Sequence, residues 1–588
     1  MNFVKTFFAS LLAVVVGFGL AIMILSMIAV GMMAAFGSSS AVVVHPKSVL
    51  RLNIGTITDS PAASPLGGFD LMSMSVKPRV TLLKTIQAIQ AAANDSRIKG
   101  IYLNFDETAS VSISSLEEIR AELVKFKESG KFIVAYQEGW AQVDYWLSSV
   151  ADKVYINPAG DFQWTGLSAG VMFYKGLLDK LEIEPVVVRH GSFKSAVEPF
   201  ILDKMSPENR LQYEKLVGSM WGVLVEEVAA SRGIAQADLQ KWADELAIDS
   251  PAASVERKLT DGVKYEDEVM TEMAALIEEG LEEPEIVSFS DYASQIAVTN
   301  PSSKNKIAII YAEGEIVSGE GSDGQVGSTS LVEKIRQVRD DEGTVAAVLR
   351  INSPGGSALA SEVMWRELEL LKAKKPLIVS MGEYAASGGY YIASPADAIY
   401  ANRSTLTGSI GVLGIFLNVG EGAKNKLGIT MDRVNSNRYS DIGSTFRSPA
   451  KAEIDYIQKS VEDVYATFVG HVADGRNMTP EAVDTIGQGR VWSGADALEI
   501  GLIDGYGGLV DALSLAAERV GVSDDFRVWE VVNEMSPLDA LFQGMFVSVR
   551  ERTLKDELGE TFDHYQYLRS MFDEPGVQAR LPYVVEIN

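Results

Sequence analysis

The sequence predicts an α/β protein: two tandem α/β domains preceded by one N-terminal transmembrane helix. Three observations carry that prediction. Most of the chain is written twice, each copy alternates short apolar runs with helical stretches, and an uncharged apolar stretch from Thr6 to Phe36 precedes both. The duplication rests on three anchors. The run Tyr145 to Asn157 matches Tyr390 to Asn402, with Asp152 facing Asp397 at an offset of 245 (397 − 152). Lys180-Leu181-Glu182-Ile183 matches Lys426-Leu427-Gly428-Ile429 at 246 (426 − 180), and Asp261-Gly262 matches Asp504-Gly505 at 243 (504 − 261). A period this long marks a duplicated domain and not a solenoid unit.

Thr6 to Phe36 is long enough to cross a hydrocarbon core of about 30 Å. It exceeds the apolar region of a cleaved signal peptide, roughly 7 to 15 residues, so an uncleaved anchor is expected. Lys5 precedes it and places the N-terminus on the cytoplasmic side, with everything after about Ser40 outside the cytoplasm. After the Gly37-Ser38-Ser39-Ser40 linker, the first copy opens with the strand Val49 to Gly55 and the second with Ile307 to Gly314. A helix follows in each, then a strand (Gly100 to Phe105; Val345 to Ile351), a helix, and another strand (Phe132 to Tyr136; Pro376 to Met381). This alternation implies parallel sheet with helical crossovers. Helices close each copy, Pro207 to Arg232 and Pro449 to Arg476, and Asn300-Pro301-Ser302-Ser303 marks the junction as a polar loop. The expected divisions are therefore residues 1–45 (N-terminus, anchor and linker), 46–298, 299–525, and a C-terminal extension, 526–588, without a counterpart in the repeat.

With 588 residues, 47% of them hydrophobic, the chain can bury two cores of about 230 residues each. A net charge of −27 argues against a nucleic-acid partner and supplies no polybasic membrane patch. The absence of cysteine excludes disulfides, thiolate metal sites and a cysteine nucleophile. Serine, threonine, lysine and carboxylate chemistry remain, with four histidines.

The two copies have lost complementary residues. Thr407-Gly408-Ser409 in the second faces Thr165-Gly166-Leu167 in the first, while Phe193-Lys194-Ser195 in the first faces Tyr439-Ser440-Asp441 in the second. One copy keeps a nucleophile and the other a base. A serine hydroxyl needs a neighbouring base to take its proton, and a lysine serves when burial disfavours its ammonium form. The apolar flanks of Lys194, Val186-Val187-Val188 and Ala196-Val197, suit such burial.

Five segments together resemble the signal peptide peptidase A family of Ser-Lys proteases, which shares the Clp protease and crotonase superfold. They are Asn352 to Gly356, Ala385 to Tyr391, Thr407 to Val412, Lys194 to Phe200 and Gly489 to Gly494. The resemblance covers nearly the whole chain and corresponds to the long, duplicated form. It implies two tandem Clp protease/crotonase-like domains, Ser409 as nucleophile and Lys194 as general base. It also implies a membrane-anchored endopeptidase on the periplasmic side of a bacterial cytoplasmic membrane, degrading remnant signal peptides and other apolar peptides. No cofactor or metal is implied, and the family's assembly is a ring-like homo-oligomer, commonly a tetramer. In this superfold a glycine pair after a strand offers backbone amides to the oxyanion, which nominates Gly355 and Gly356. Their first-copy equivalents are about Ala109 and Ser110, and Ser387-Gly388-Gly389 becomes Gln142-Val143-Asp144.

Other serines and histidines are set aside. Ser168 lies in a G-x-S-x-G string without an evident histidine or acid partner. Ser387 is subtler, since the Clp protease nucleophile lies in a similar Ala-Ser-Gly segment at the start of a helix. His190 precedes Lys194 by four residues, yet no positioned acid is recognisable. Two alternatives remain: a catalytically silent membrane scaffold, and a crotonase-like acyl-thioester enzyme, which would be expected to show a basic pocket for CoA phosphates.

Overall fold

The computed structural model describes residues 43–61, 79–106, 111–296, 300–322, 324–523 and 525–532. It also describes 69–70, 75–76, 578–580 and five positions between Val16 and Met23. The expected anchor therefore lies almost wholly outside the described residues. Among the described residues no helix is long and apolar enough to cross a membrane. Residues 1–46 form one unit and 47–588 another.

In the second unit the duplication is visible as two parallel sheets with the same strand order. In the first sheet that order is Gly262–Val263, Lys153–Ile156, Phe132–Gln137, Ile98–Leu103, Ser48–Leu52, Glu285–Ser288. In the second it is Gly505–Tyr506, Ala398–Ala401, Leu377–Ala386, Thr344–Ser353, Lys306–Glu313, Arg527–Val531. The last strand, which pairs parallel with Lys306–Glu313, falls within residues 526–588. These strands carry continuous apolar runs because helices cover both faces. Ile307 and Ile309 enter one core while Ala308 and Ile310 enter the other.

The copies are interlocked. Leu83, on the first-copy helix Leu82–Asn94, packs into a second-copy core. Arg350, fully buried on Thr344–Ser353, is held by two first-copy carboxylates, Asp59 at 2.7 Å and Glu118 at 2.8 Å. Burying three charges is tolerable only because each finds partners. Glu118 also accepts from the backbone N–H of Leu509 and from the Asn402 amide.

A third sheet draws on both copies and on the C-terminal extension. Its order is Gln325–Gly327, Glu315–Val317, Gly355–Ser357, Gln578–Arg580, Val412–Asn418, Glu184–His190. The strand Glu184–His190 leaves its own copy to pair antiparallel with Val412–Asn418 over seven residues. That pairing carries Lys194, four residues beyond His190, into the second copy.

Candidate active site

Lys194 ends a tight turn anchored on the second copy. Phe193 N–H donates to the Gln488 carbonyl at 2.9 Å, Lys194 N–H to the Gly191 carbonyl at 3.3 Å, and the Arg189 guanidinium to the Lys194 carbonyl at 3.1 Å. The side chain is fully buried, with its stem between Gly411 and Gly489. A Cβ on Gly489 would lie 2.6 Å from Lys194 Cβ, so no side chain larger than hydrogen fits there. Among the described residues no carboxylate pairs with the amine, and burial alone holds its pKa well below the usual lysine range. Its neighbours are hydroxyls: Nζ lies 2.8 Å from Ser387 Oγ, 3.0 Å from Ser409 Oγ and 3.3 Å from the Ser409 carbonyl.

The structure thus brings Lys194 and Ser409 together across the copies, as the repeat comparison expects, and adds a second serine at shorter range. The two hydroxyls sit in different surroundings. Ser387 joins the strand Leu377–Ala386 to the helix Gly388–Ala393, with φ 55° and ψ −116°. A serine at a strained strand-to-helix turn is the nucleophile-elbow geometry. The helix it opens is packed tightly on the turn that leads into Gly355–Ser357: a Cβ on Gly389 would lie 2.6 Å from the Ser353 carbonyl. Ser409 also has positive φ, 50°, but it is tied on the lysine's other side. Its N–H donates to the Arg490 carbonyl at 2.7 Å, and its hydroxyl donates to the Gly489 carbonyl at 3.3 Å.

Gly355 and Gly356 open the short strand next to the Ser387 helix, with φ of 94° and 153°. The Gly355 N–H is engaged by Ser353 Oγ at 3.2 Å, whose own hydroxyl donates to the Gly314 carbonyl at 2.6 Å.

The corresponding place in the first copy is plugged. Gln142, facing Ser387 in the repeat, accepts from the N–H groups of Thr165 and Gly166, both at 3.0 Å, and donates to the Gly166 carbonyl at 3.3 Å. Ala109 and Ser110 lie outside the described residues. Ser440, facing Lys194 in the repeat, is exposed in a surface turn with its hydroxyl on the Asn437 carbonyl. Ser168 is exposed, and His190 stacks on Tyr465 with ring centroids 3.9 Å apart.

Two stretches of the chain, residues 125–279 and 369–523, each match peptidase family S49. Protease 4 of Salmonella typhi is 35% identical over 90% of this chain and 87% of its own length. Protease 4 of Haemophilus influenzae is 33% identical, covering 83% of this chain and 82% of its own. Serine protease SPPA, chloroplastic, of Arabidopsis thaliana is 33% identical over 83% of this chain and 72% of its own.

Proposed function

The chain belongs to peptidase family S49, and on that premise we propose that it is a serine endopeptidase in which Ser387 attacks and Lys194 is the base. The observation that carries this reading is a buried lysine, paired with no carboxylate among the described residues, 2.8 Å from a hydroxyl at a strand-to-helix elbow. Ser387 takes the role that the repeat comparison gave to Ser409. Ser409 becomes the residue that orients the base.

The neutral amine accepts the Ser387 proton as Oγ adds to the scissile carbonyl. Its own N–H groups meanwhile donate to Ser409 Oγ and the Ser409 carbonyl, aiming the lone pair at Ser387. The oxyanion develops beside the backbone of Gly355 and Gly356 and the first turn of the Ser387 helix. The lysine then returns the proton to the leaving amine; in the second half the neutral Lys194 amine takes a proton from the attacking water and passes it to Ser387 Oγ as the acyl group departs.

The substrates are apolar peptides, remnant signal peptides foremost. The uncharged Thr6 to Phe36 stretch anchors the chain in a bacterial cytoplasmic membrane with its catalytic domains on the periplasmic side, close to such segments. The assembly is a homotetramer, and no cofactor takes part. A fluorophosphonate probe with peptide mapping tests the assignment. Ser387→Ala is expected to lose both labelling and hydrolysis. Ser409→Ala keeps the label on Ser387 and loses less than the roughly 10²–10⁴-fold that a general base contributes. An adduct on Ser409 in the unsubstituted chain would return the nucleophile's role to Ser409.

A further inference from the structure

We propose that Glu362 is a positioning residue for the reaction: through Tyr391 it fixes the helix that presents Ser387 at a set distance from the backbone of Gly355 and Gly356. This rests on the reading above, in which Ser387 attacks beside those glycines. The helix Gly388–Ala393 has six residues, too few to hold its shape without tertiary contacts. Ser387 is joined to it one turn along, where the Tyr391 N–H donates to the Ser387 carbonyl at 2.8 Å. The Tyr391 side chain is buried, so its hydroxyl needs a partner. It donates to the Glu362 carboxylate, and His471 Nε2 stands 2.9 Å from the same oxygen. Trp365 stacks on the His471 ring with centroids 3.5 Å apart. Glu362 itself lies on the helix Ala358–Lys372, which begins at the residue after the strand Gly355–Ser357. One carboxylate therefore ties the element that carries the glycine amides to the element that carries the nucleophile.

The first copy separates what the fold needs from what the reaction needs. Its helix Gln142–Ser148 holds the place of the Ser387 helix in the repeat, with Tyr145 facing Tyr390. Those two tyrosines make the same bond, one to the Leu259 carbonyl and the other to the Leu502 carbonyl, each at 2.7 Å. That contact belongs to the architecture, whether or not a serine is present. The next position differs. Trp146 faces Tyr391 at an offset of 245 (391 − 146), and its indole N–H donates at 2.9 Å to Glu227, which faces His471 at 244 (471 − 227). Glu227 is paired in turn with Arg120 at 3.2 Å. Glu117, which faces Glu362 at 245 (362 − 117), turns to the second copy and accepts from the N–H groups of Arg403 and Ser404, both at 3.1 Å. Among the described residues, the hydroxyl-to-carboxylate tie between these two helices is thus found only in the copy that holds Ser387.

Without the tie, Ser387 and the glycine amides can drift apart. A misplacement of about 1 Å costs roughly 10²-fold in rate. Neither Tyr391 nor Glu362 is the nucleophile, the base or a glycine amide, so substrate binding keeps its groups and the loss falls on kcat.

The test is Tyr391→Phe and Glu362→Leu, singly and together, with Glu362→Gln as the conservative variant, since its amide oxygen still accepts from the tyrosine. Trp146→Phe breaks the corresponding indole bond in the first copy and serves as the control. Both kcat and KM on a small peptide ester are measured well below each thermal midpoint. Tyr391→Phe and Glu362→Leu are expected to lower kcat by about 10- to 100-fold with KM within about twofold of the parent. The double variant should fall no further than the worse single one, because both changes break one bond. Glu362→Gln should return to within about threefold of the parent, and Trp146→Phe should keep the parental kcat whatever its midpoint. Three results overturn the positioning role: kcat within about threefold of the parent in Tyr391→Phe and Glu362→Leu, a fall in Glu362→Gln as deep as in Glu362→Leu, or an equal fall in Trp146→Phe. With Ser387→Ala inactive in the same series, each of these leaves the protease reading untouched. A fully active Ser387→Ala chain would instead remove the nucleophile, and both readings with it.

Discussion

Gly489→Ala isolates the contact that fixes Lys194, the proposed general base. Gly489 has φ of 79°, and a methyl group on it would lie 2.6 Å from Lys194 Cβ and 2.7 Å from Lys194 N. Carbon atoms in contact prefer about 3.5–4.0 Å, so the lysine or its neighbour must move by about 1 Å. The lysine has little room to yield, because a Cβ on Gly411 would already stand 3.2 Å from its Cδ on another side. Displacing a reacting group by about 1 Å costs roughly 10²-fold, and kcat is expected to fall by that factor. Overlap and backbone strain together lower the stability by about 2–4 kcal/mol. Gly521→Ala supplies the control: φ is 72°, yet nothing lies within 4 Å of the added methyl. It bears the strain, about 1 kcal/mol, without the overlap, and its kcat should equal that of the parent. The assay is kcat on a small peptide ester beside the thermal midpoint of each variant. A folded Gly489→Ala chain with kcat within about threefold of the parent would refute the claim that this contact positions the lysine.

Three further outcomes follow from the same geometry. Arg350→Met leaves Asp59 and Glu118 buried without their cation and should lower stability by about 3–5 kcal/mol, read as a fall in denaturant midpoint; an unchanged midpoint means the cluster does not hold the copies together. Burial depresses the Lys194 pKa, so the folded chain releases this proton at a lower pH than the unfolded chain; kcat should rise with pH through the lowered value. The same group's contribution to stability should also rise with pH, from that value to about 10.4, and Lys194→Arg should be inactive throughout because guanidinium keeps its proton. Mixing Ser387→Ala with Lys194→Ala chains should give no activity even after subunit exchange, since both residues of each site come from one chain; recovered activity would show the lysine crossing between chains.

The duplication, the parallel α/β architecture and the burial of Lys194 were legible because each leaves a pattern in one dimension. Apolar runs repeat near an offset of 245, and apolar residues flank Lys194 on both sides. The ranking of the two serines beside the lysine was not legible, for a reason visible in the same comparison. Ser409 faces Leu167 and Ser387 faces Gln142, so both serines lack a counterpart and the repeat cannot rank them. What separates them is backbone: one hydroxyl sits at a strand-to-helix elbow, the other on a loop tied to Gly489 and Arg490. The run Val186-Val187-Val188 read as a buried strand, but its partner 226 or more residues away did not (414 − 188). The strand Gln578–Arg580 was hidden altogether. Three residues are too few for a periodicity, and the stretch that holds them has no second copy to compare.

The exchange of the strand Glu184–His190 into the second copy has a consequence for how the two halves could diverge. The lysine position of the first copy meets the serine positions of the second. The leftover positions, Ser440 on one side and Gln142 with Leu167 on the other, form no such pair among the described residues. The two losses together leave the chain one lysine–serine cluster among the described residues, drawn from both copies. The released positions took up other work, Gln142 closing its loop with three hydrogen bonds and Ser440 turning out to solvent.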